Sequence, residues 1–277
     1  MERVKNDEDE THIAYEVDGP ADAPVIAFCE GLGYGRWMWR FQRRRLDEYR
    51  TIVFDNRGTG DSDVPEPAAE DEEPRYSIEL FASDLETVLD AEGVDSAHVV
   101  GASMGGMTAQ RYAKDYDRAE SLTLLCTSHG GEEAVPTPPE TQERMFNVPP
   151  EYDEREALRY KMQPAMSDDF WEDNDDLVEE IIDWRLTSDA PPEARLAQAG
   201  AVAAFDSTPW LDDLDLPTMV LHGTADRVLP VENGKRLHER LPESDLDLYE
   251  HGSHLFFIES ADAVTAAIRE HVEADAP

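Results

Sequence analysis

The fold of this chain is decided by Ala97-His98-Val99-Val100-Gly101-Ala102-Ser103-Met104-Gly105-Gly106-Met107. The stretch opens on an apolar run too short for a helix, and the β-branched Val99 and Val100 favour a strand. A G-x-S-x-G pattern follows, and residues 107–114 are helix-like. The backbone of a serine in so tight a turn is strained, and the flanking glycines let strand and helix approach closely. The sequence therefore predicts a nucleophile elbow, with the Ser103 hydroxyl at a helix N-terminus.

Two further polar residues follow predicted strands later in the chain. The run 217–223 has the pattern of a buried strand, and Asp226 comes shortly after it. The run 246–249 has the pattern of another strand, and His254 follows. Open α/β sheets place their sites beyond the carboxyl ends of strands. A lone glycine-flanked serine could be an ordinary turn, but the three positions together favour a catalytic triad of Ser103, Asp226 and His254.

Composition bounds the class of protein. The 277 residues, 40% of them hydrophobic, suffice for one large α/β domain with an insertion. Cys29 and Cys126 fall at the ends of predicted core strands and are expected to be buried, because two thiols offer neither a disulfide framework nor a metal-site spacing. We therefore expect no metal and no cofactor.

The first ten residues are charged, and no apolar run reaches membrane-spanning length, so we expect a cytoplasmic protein without a membrane partner.

The charge is strongly negative. The chain has 63 acidic and 24 basic residues, a net charge of −39, and the acids are spread along its whole length. Binding to a basic protein partner would usually appear as a localised acidic block instead. A surface that is acidic throughout repels itself at low ionic strength, and it also argues against nucleic acid as a partner. The pattern resembles proteins from organisms with molar salt in the cytoplasm, so a halophilic source is expected.

The charge predicts that folding requires salt. Because screening shortens from about 10 Å at 0.1 M to about 3 Å at 1 M, the melting temperature should rise steeply between 0.1 M and 3 M KCl. Thermal denaturation followed by circular dichroism measures this rise. An unchanged melting temperature would refute the halophilic interpretation.

The pattern along the chain is one of alternating strands and helices with a single interruption. A helix is expected from a Ser77 N-cap to Gly93. Residues 127–205 break the rhythm with prolines and then with helical patterns at 155–162, 168–186 and 192–205. We interpret this region as an inserted helical lid at 131–205, with the core formed by 1–130 and 206–277. Further strands are expected at 11–17, 25–29, 51–54 and 119–126.

Three motifs together resemble the α/β-hydrolase superfamily: Gly101-Ala102-Ser103-Met104-Gly105, His222-Gly223-Thr224-Ala225-Asp226 and Gly252-Ser253-His254. Within it, the chain is most similar to lidded serine esterases and enol-lactonases. The resemblance implies a mostly parallel eight-stranded sheet with helices on both faces and a lid. It implies hydrolysis of a small ester or lactone through an acyl-enzyme, with no cofactor.

The resemblance also assigns roles to residues. Ser103 is the expected nucleophile, His254 the base and Asp226 its orienting acid. The backbone N–H groups of Leu32 and Met104 are the expected oxyanion hole. The candidate substrate pocket comprises Glu30, Gly31, Trp37 and His129.

Some alternatives stay open at this point. Glu30 stands where the family commonly has histidine, so it must point away, pair with Arg36 or Arg40, or serve another chemistry. His251 is a rival base to His254. The same triad could cleave carbon–carbon bonds or thioesters, or carry out perhydrolysis, and the fold could also serve a non-catalytic small-ligand binder.

Overall fold

The apolar runs of the sequence pair into one sheet. The structure, a computed structural model, describes residues 1–66 and 75–274, and the sheet within these ranges has eight strands. They are β1 (Glu2–Lys5), β2 (His12–Asp18), β3 (Val25–Cys29), β4 (Arg50–Phe54), β5 (Ala97–Ala102), β6 (Ala119–Leu125), β7 (Thr218–Gly223) and β8 (Ser244–Tyr249).

The strand order is β1-β2-β4-β3-β5-β6-β7-β8. β1 and β2 are antiparallel to their neighbours, and the strands from β4 to β8 in this order are parallel. The predicted mostly parallel sheet is therefore confirmed. Strand order reverses between β3 and β5, which pair from Ile26↔His98 to Cys29↔Gly101. A crevice at the carboxyl edge is expected at such a reversal.

The two edge strands differ from the interior ones. β1 was not predicted, because its sequence Glu-Arg-Val-Lys is charged rather than alternating, and most of it is exposed. β8 at the other edge carries Asp245 and Asp247 at alternate positions. The interior strand β5 is buried along its whole length.

Helices cover both faces of the sheet. The helices are α1 (Arg40–Arg43), α2 (Ile78–Ala91), α3 (Met104–Asp115), α4 (Pro139–Phe146), α5 (Glu154–Met162), α6 (Asp168–Asp173), α7 (Asp175–Ser188), α8 (Pro192–Ala204), α9 (Glu232–Arg240), α10 (Phe256–Glu259) and α11 (Ala261–Ala274). On one face of the sheet, Ala27, Val99 and Leu122 of the strands form an apolar cluster with α2, α3 and α9. Phe28 and Val100 belong to a second apolar cluster on the opposite face.

The helical boundaries confirm some predictions and correct others. The Ser77 hydroxyl accepts the Leu80 N–H, so the predicted N-cap of α2 is confirmed. The single helix predicted at 168–186 is wrong, because the backbone at Asn174 leaves the helical region and separates α6 from α7. α4 was not predicted, because prolines interrupt the helical pattern near its start, although Pro139 lies in the first helical turn, where proline is tolerated.

Buried charges hold the loop after β4 in place. The Arg57 guanidinium is fully buried and forms 2.7 Å hydrogen bonds from Nε and Nη2 to the two carboxylate oxygens of Asp84. It also reaches Asp9 at 2.6 Å. Asp55 accepts the Arg36 N–H at 2.8 Å and pairs with its guanidinium. Removing one member of such a buried pair typically costs about 3–5 kcal/mol, because the other charge is left alone.

Two other expectations concern the thiols and the membrane. Cys29 and Cys126 are both free and fully buried, as expected of small core residues. Across the described ranges, the helices all lack the combined length and apolarity that crossing a bilayer requires.

The first turn of α3 lies directly against the end of β3. A Cβ atom at Gly105 would overlap the carbonyl oxygen of Cys29, whereas one at Gly200 in α8 would meet nothing within 4 Å. We expect Gly105→Ala to lower the free energy of unfolding by more than about 3 kcal/mol, because the backbone cannot give way. Gly200→Ala, the matched control, should raise it by about 1 kcal/mol. Denaturant titration in 3 M KCl measures both, and equal effects would contradict this account of the packing.

Candidate active site

The carboxyl edge of the sheet brings the three predicted catalytic residues to one side of the molecule. Ser103 directly follows β5, Asp226 comes three residues after β7, and His254 comes five residues after β8. Because β5, β6, β7 and β8 are parallel and adjacent in that order, their ends lie side by side.

Ser103 occupies the predicted elbow. Its φ of 55° and ψ of −118° lie in a region that L-residues rarely adopt. Its N–H donates to the Leu125 carbonyl at 2.9 Å, and its carbonyl accepts the Thr127 hydroxyl at 2.6 Å. These contacts with β6 and the loop after it hold the strained residue. The helix begins at Met104, three residues earlier than the pattern suggested.

Asp226 and His254 form a buried hydrogen-bonded pair. His254 Nδ1 lies 2.7 Å from Asp226 Oδ2. The other carboxylate oxygen accepts the N–H groups of Val228 at 2.7 Å and Leu229 at 2.9 Å. Burial alone would raise the pKa of Asp226, but His254 and His222 outweigh it and lower that pKa to about 2. An ionised Asp226 holds the proton on Nδ1 and leaves Nε2 of His254 as the nitrogen that can accept a proton.

His222 is a neighbour of this pair for which no catalytic role was predicted from the sequence. It is fully buried at the end of β7, and its Nε2 lies 2.8 Å from the Leu229 carbonyl and 3.3 Å from Asp226 Oδ2. Because the carbonyl can only accept, Nε2 carries the proton and also faces the carboxylate. The four-residue spacing across the turn from His222 to Asp226 was the available signal.

The glycine-rich loop after β3 lies against the elbow. A Cβ at Gly31 would come within 3.7 Å of the Ser103 Cβ. Tyr34 N–H donates to the Gly31 carbonyl at 3.2 Å, and Gly33 has a φ of +76°, as in the third position of a type II turn. Leu32 packs against an apolar cluster that contains Met104. The two predicted oxyanion positions therefore adjoin the same apolar cluster, while their role stays a prediction.

Glu30 is a fully buried acid at the end of β3. Neither carboxylate oxygen has a hydrogen-bond partner among residues 1–66 and 75–274. The Arg36 guanidinium is engaged by Glu16, Asp55 and Asp61, and that of Arg40 lies 3.7 Å above the Trp184 ring. Of the three alternatives left open for Glu30, pairing with Arg36 or Arg40 is therefore not the one observed. Burial, reinforced by the Asp55 charge, raises the pKa of Glu30 well above its usual range, so this carboxyl keeps its proton to higher pH than an ordinary glutamate does.

The other candidate pocket residues lie in different surroundings. Trp37 packs between Tyr34 and Trp184, with ring centroids 5.6 Å from each. His129 is buried, its Nδ1 lies 2.7 Å from the Gly130 carbonyl, and it borders a cleft of about 620 Å³ beside α9. Substrate contact by either residue stays a prediction.

His251 is not part of this site. Its side chain is 90% exposed, and its Nε2 lies 3.8 Å from a carboxylate oxygen of Glu250. The geometry thus favours His254 over this rival base.

In the part of the chain that the structure describes, no group of three or more His, Cys, Asp or Glu side chains is arranged to hold a metal ion. The site consists of a strained serine, a buried imidazole–carboxylate pair and a glycine-rich turn. Such a set can support nucleophilic attack and proton transfer.

Fold and site together define a hydrolase class, and sequence comparison agrees. Residues 24–261 match the family described as the alpha/beta hydrolase fold, and the chain belongs to that family.

Individual relatives share most of the chain. A 3-oxoadipate enol-lactonase of Acinetobacter baylyi is 27% identical over 89% of this chain and 88% of its own. RutD of Variovorax paradoxus, named as a putative carbamate hydrolase, is 30% identical over 89% of this chain and 91% of its own. The solved structure of a thermophilic esterase from Thermogutta terrifontis superposes with a TM-score of 0.79 at 30% identity, covering 99% of this chain and 98% of that one. The chain is thus similar to proteins named for the hydrolysis of different acyl compounds.

The raised pKa of Glu30 gives a prediction for stability. In the unfolded chain Glu30 loses its proton near the ordinary glutamate pKa of 4.5, while the folded protein keeps it, so this group makes folding less favourable as pH rises. Glu30→Gln should therefore match the native protein below pH 4 and become more stable relative to it at higher pH, by up to about 1.4 kcal/mol per pH unit.

Urea denaturation in 3 M KCl between pH 4 and 9 measures the difference. Glu151→Gln, at an exposed position, controls for the loss of one carboxyl group. If the two variants differ from the native protein by the same amount at every pH, Glu30 is ionised in the folded state.

Proposed function

We propose that this protein is a serine hydrolase that cleaves a carboxylic ester or lactone through an acyl-enzyme intermediate. The observation that carries the proposal is the buried 2.7 Å contact between His254 Nδ1 and Asp226 Oδ2, at the same sheet edge as the strained Ser103. An ester and a lactone present the same reacting group, an acyl carbonyl with an oxygen leaving group.

The proposed acylation uses the pair as a proton relay. The Ser103 hydroxyl oxygen attacks the carbonyl carbon, and His254 Nε2 takes the hydroxyl proton. The ionised Asp226 stabilises the resulting imidazolium. The oxyanion accepts hydrogen bonds from the N–H groups of Leu32 and Met104, each worth roughly 3–4 kcal/mol in comparable sites. His254 then returns the proton to the leaving oxygen as the carbon–oxygen bond breaks.

Deacylation repeats these steps with water. His254 Nε2 removes a proton from water, the hydroxide adds to the acyl carbon, and the Ser103 oxygen leaves with that proton. Carboxylic acid and free enzyme result. For a lactone, the released alcohol and acid remain in one molecule.

The substrate class is supported by the names of the relatives and by the surroundings of Glu30. The enol-lactonase and the esterase are named for acyl–oxygen bonds, and the chain covers nearly the full length of each. The raised pKa of Glu30 also supports the proposal, since an ionised carboxylate beside a developing oxyanion would oppose catalysis and burial disfavours that ionised form.

Two further features belong to this proposal. We infer that residues 131–205 act as a lid, because α4 to α8 are inserted between β6 and β7. We also infer a cytoplasm rich in salt as the working environment, from the net charge of −39 spread along the chain.

Ser103→Ala should abolish hydrolysis of p-nitrophenyl esters in 3 M KCl while leaving the melting temperature within a few degrees, because only the nucleophile is lost. Ser121→Ala is the matched control. Ser121 is buried in β6, and its hydroxyl forms a 2.8 Å hydrogen bond with His98 Nδ1, so this variant loses a buried hydroxyl outside the predicted triad. Ser121→Ala should retain turnover. Turnover retained by Ser103→Ala would refute the proposal.

A panel of p-nitrophenyl esters, lactones and thioesters separates the remaining hydrolase reactions. Covalent labelling of Ser103 by a fluorophosphonate, with burst release of p-nitrophenol, supports the acyl-enzyme. Absence of both would instead favour a ligand-binding protein on this fold.

A further inference from the structure

A single buried side chain of the inserted segment reaches both loops beside the elbow. Gln198 of α8 is fully buried. Its Oε1 accepts the N–H of Gly33 at 2.7 Å. Its Nε2 donates to the Arg57 carbonyl and to the Thr59 hydroxyl oxygen, each at 3.0 Å. One amide therefore links α8 to the loop after β3 and to the loop after β4.

The contact with Gly33 fixes the turn that carries a proposed oxyanion donor. Gly31 and Tyr34 close the turn, and Leu32 and Gly33 are its two central residues. The N–H of Gly33 belongs to the central peptide, whose orientation distinguishes a type II turn from a type I turn. Glycine can adopt either sign of φ, so the φ of +76° at Gly33 is not enforced by the residue type. A buried acceptor for this N–H holds the peptide in one orientation.

A second set of contacts from the same part of the insertion reinforces this arrangement. The Gly33 carbonyl accepts the Ala190 N–H at 3.0 Å, so both backbone polar groups of Gly33 bind the insertion. Gly60 N–H donates to the Ser188 carbonyl at 2.9 Å. A Cβ at Gly35 would touch Ser188 at 3.0–3.1 Å. The C-terminal end of α7 and the segment after it therefore pack closely against both loops.

We propose that Gln198 is a positioning residue for the oxyanion hole, which it holds in place through the Gly33 peptide; this inference rests on the proposed function. It does not touch the substrate. It orients the turn that presents the Leu32 N–H, and it makes that orientation depend on the docking of the inserted helix. A movement of α8 away from the core would release the turn at the same time.

The test compares Gln198→Met with Gln198→Glu. Methionine has a similar shape but no acceptor for Gly33, so kcat for p-nitrophenyl butyrate should fall about 10–100-fold while KM changes less than about threefold. The Ki of a trifluoromethyl ketone, which forms a tetrahedral adduct, should rise in parallel with the loss in kcat. Glutamate keeps an acceptor for the Gly33 N–H and loses the two donated bonds, so its kcat should stay within about threefold of native.

Asn233→Leu is the matched control. Asn233 is a fully buried amide that ties α9 to the insertion through both backbone groups of Val135, at 2.8 and 2.9 Å. Its loss should lower the melting temperature and leave kcat and the inhibitor Ki within about threefold of native, because it does not reach the two loops.

The outcomes separate the possibilities. The inference is overturned if Gln198→Met keeps kcat and Ki within about threefold, if only KM changes, or if Asn233→Leu loses kcat equally. Should Gln198→Met fail to fold in 3 M KCl, Gln198→Glu decides: a loss of kcat beyond about tenfold overturns the inference, and a lowered melting temperature with native kcat and Ki supports it. Native protein without turnover that depends on Ser103 would instead refute the proposed function itself.

Discussion

The structure depends on the close backbone approach between the first turn of α3 and the end of β3. No side chain fits between Gly105 and the Cys29 carbonyl, so helix and strand lie nearer than ordinary packing allows. This approach places Ser103 beside Gly31, because each lies just beyond the end of its strand and the strands are adjacent. The contacts of α3 and β6 around Ser103 hold its backbone in the strained conformation. A hydroxyl and a turn rich in N–H groups are thereby held next to each other before any ligand arrives.

The pKa values of two buried acids in this molecule are shifted in opposite directions. Asp226 accepts two backbone N–H groups and faces two imidazoles, so its charged form is stabilised despite burial. Glu30 is as deeply buried but has no hydrogen-bond partner in the described ranges, and the nearby Asp55 opposes its ionisation. The imidazoles beside Asp226 outweigh its burial, whereas nothing around Glu30 outweighs its burial. Burial thus favours the protonated form of Glu30 before the glycine-rich turn, whereas the Asp226 carboxylate behind the imidazole is held in its charged form.

Much of the core could be predicted from the sequence because it is encoded locally. The strands β3, β5 and β7 are apolar runs that end in glycine or polar residues, and the elbow motif has few alternative conformations. The break at Asn174 and the helix α4 were not predictable, since tertiary contacts decide where such polar segments end. The surroundings of Glu30 and His222 depend on residues far away in sequence. Gln198 forms hydrogen bonds with residues that lie 139 to 165 positions away in the sequence, and no local sequence pattern predicts these bonds.

The charged margins of the sheet have a consequence for behaviour in concentrated solution. β1 carries Glu2, Arg3 and Lys5, and β8 carries Asp245 and Asp247 at alternate positions. Dissolved ions weaken long-range repulsion between molecules, but they do not remove the cost of stripping water from a carboxylate at a contact. An approaching strand from another copy would have to bury these groups in order to extend the sheet. The margins therefore discourage β-mediated aggregation under conditions where net charge no longer keeps molecules apart.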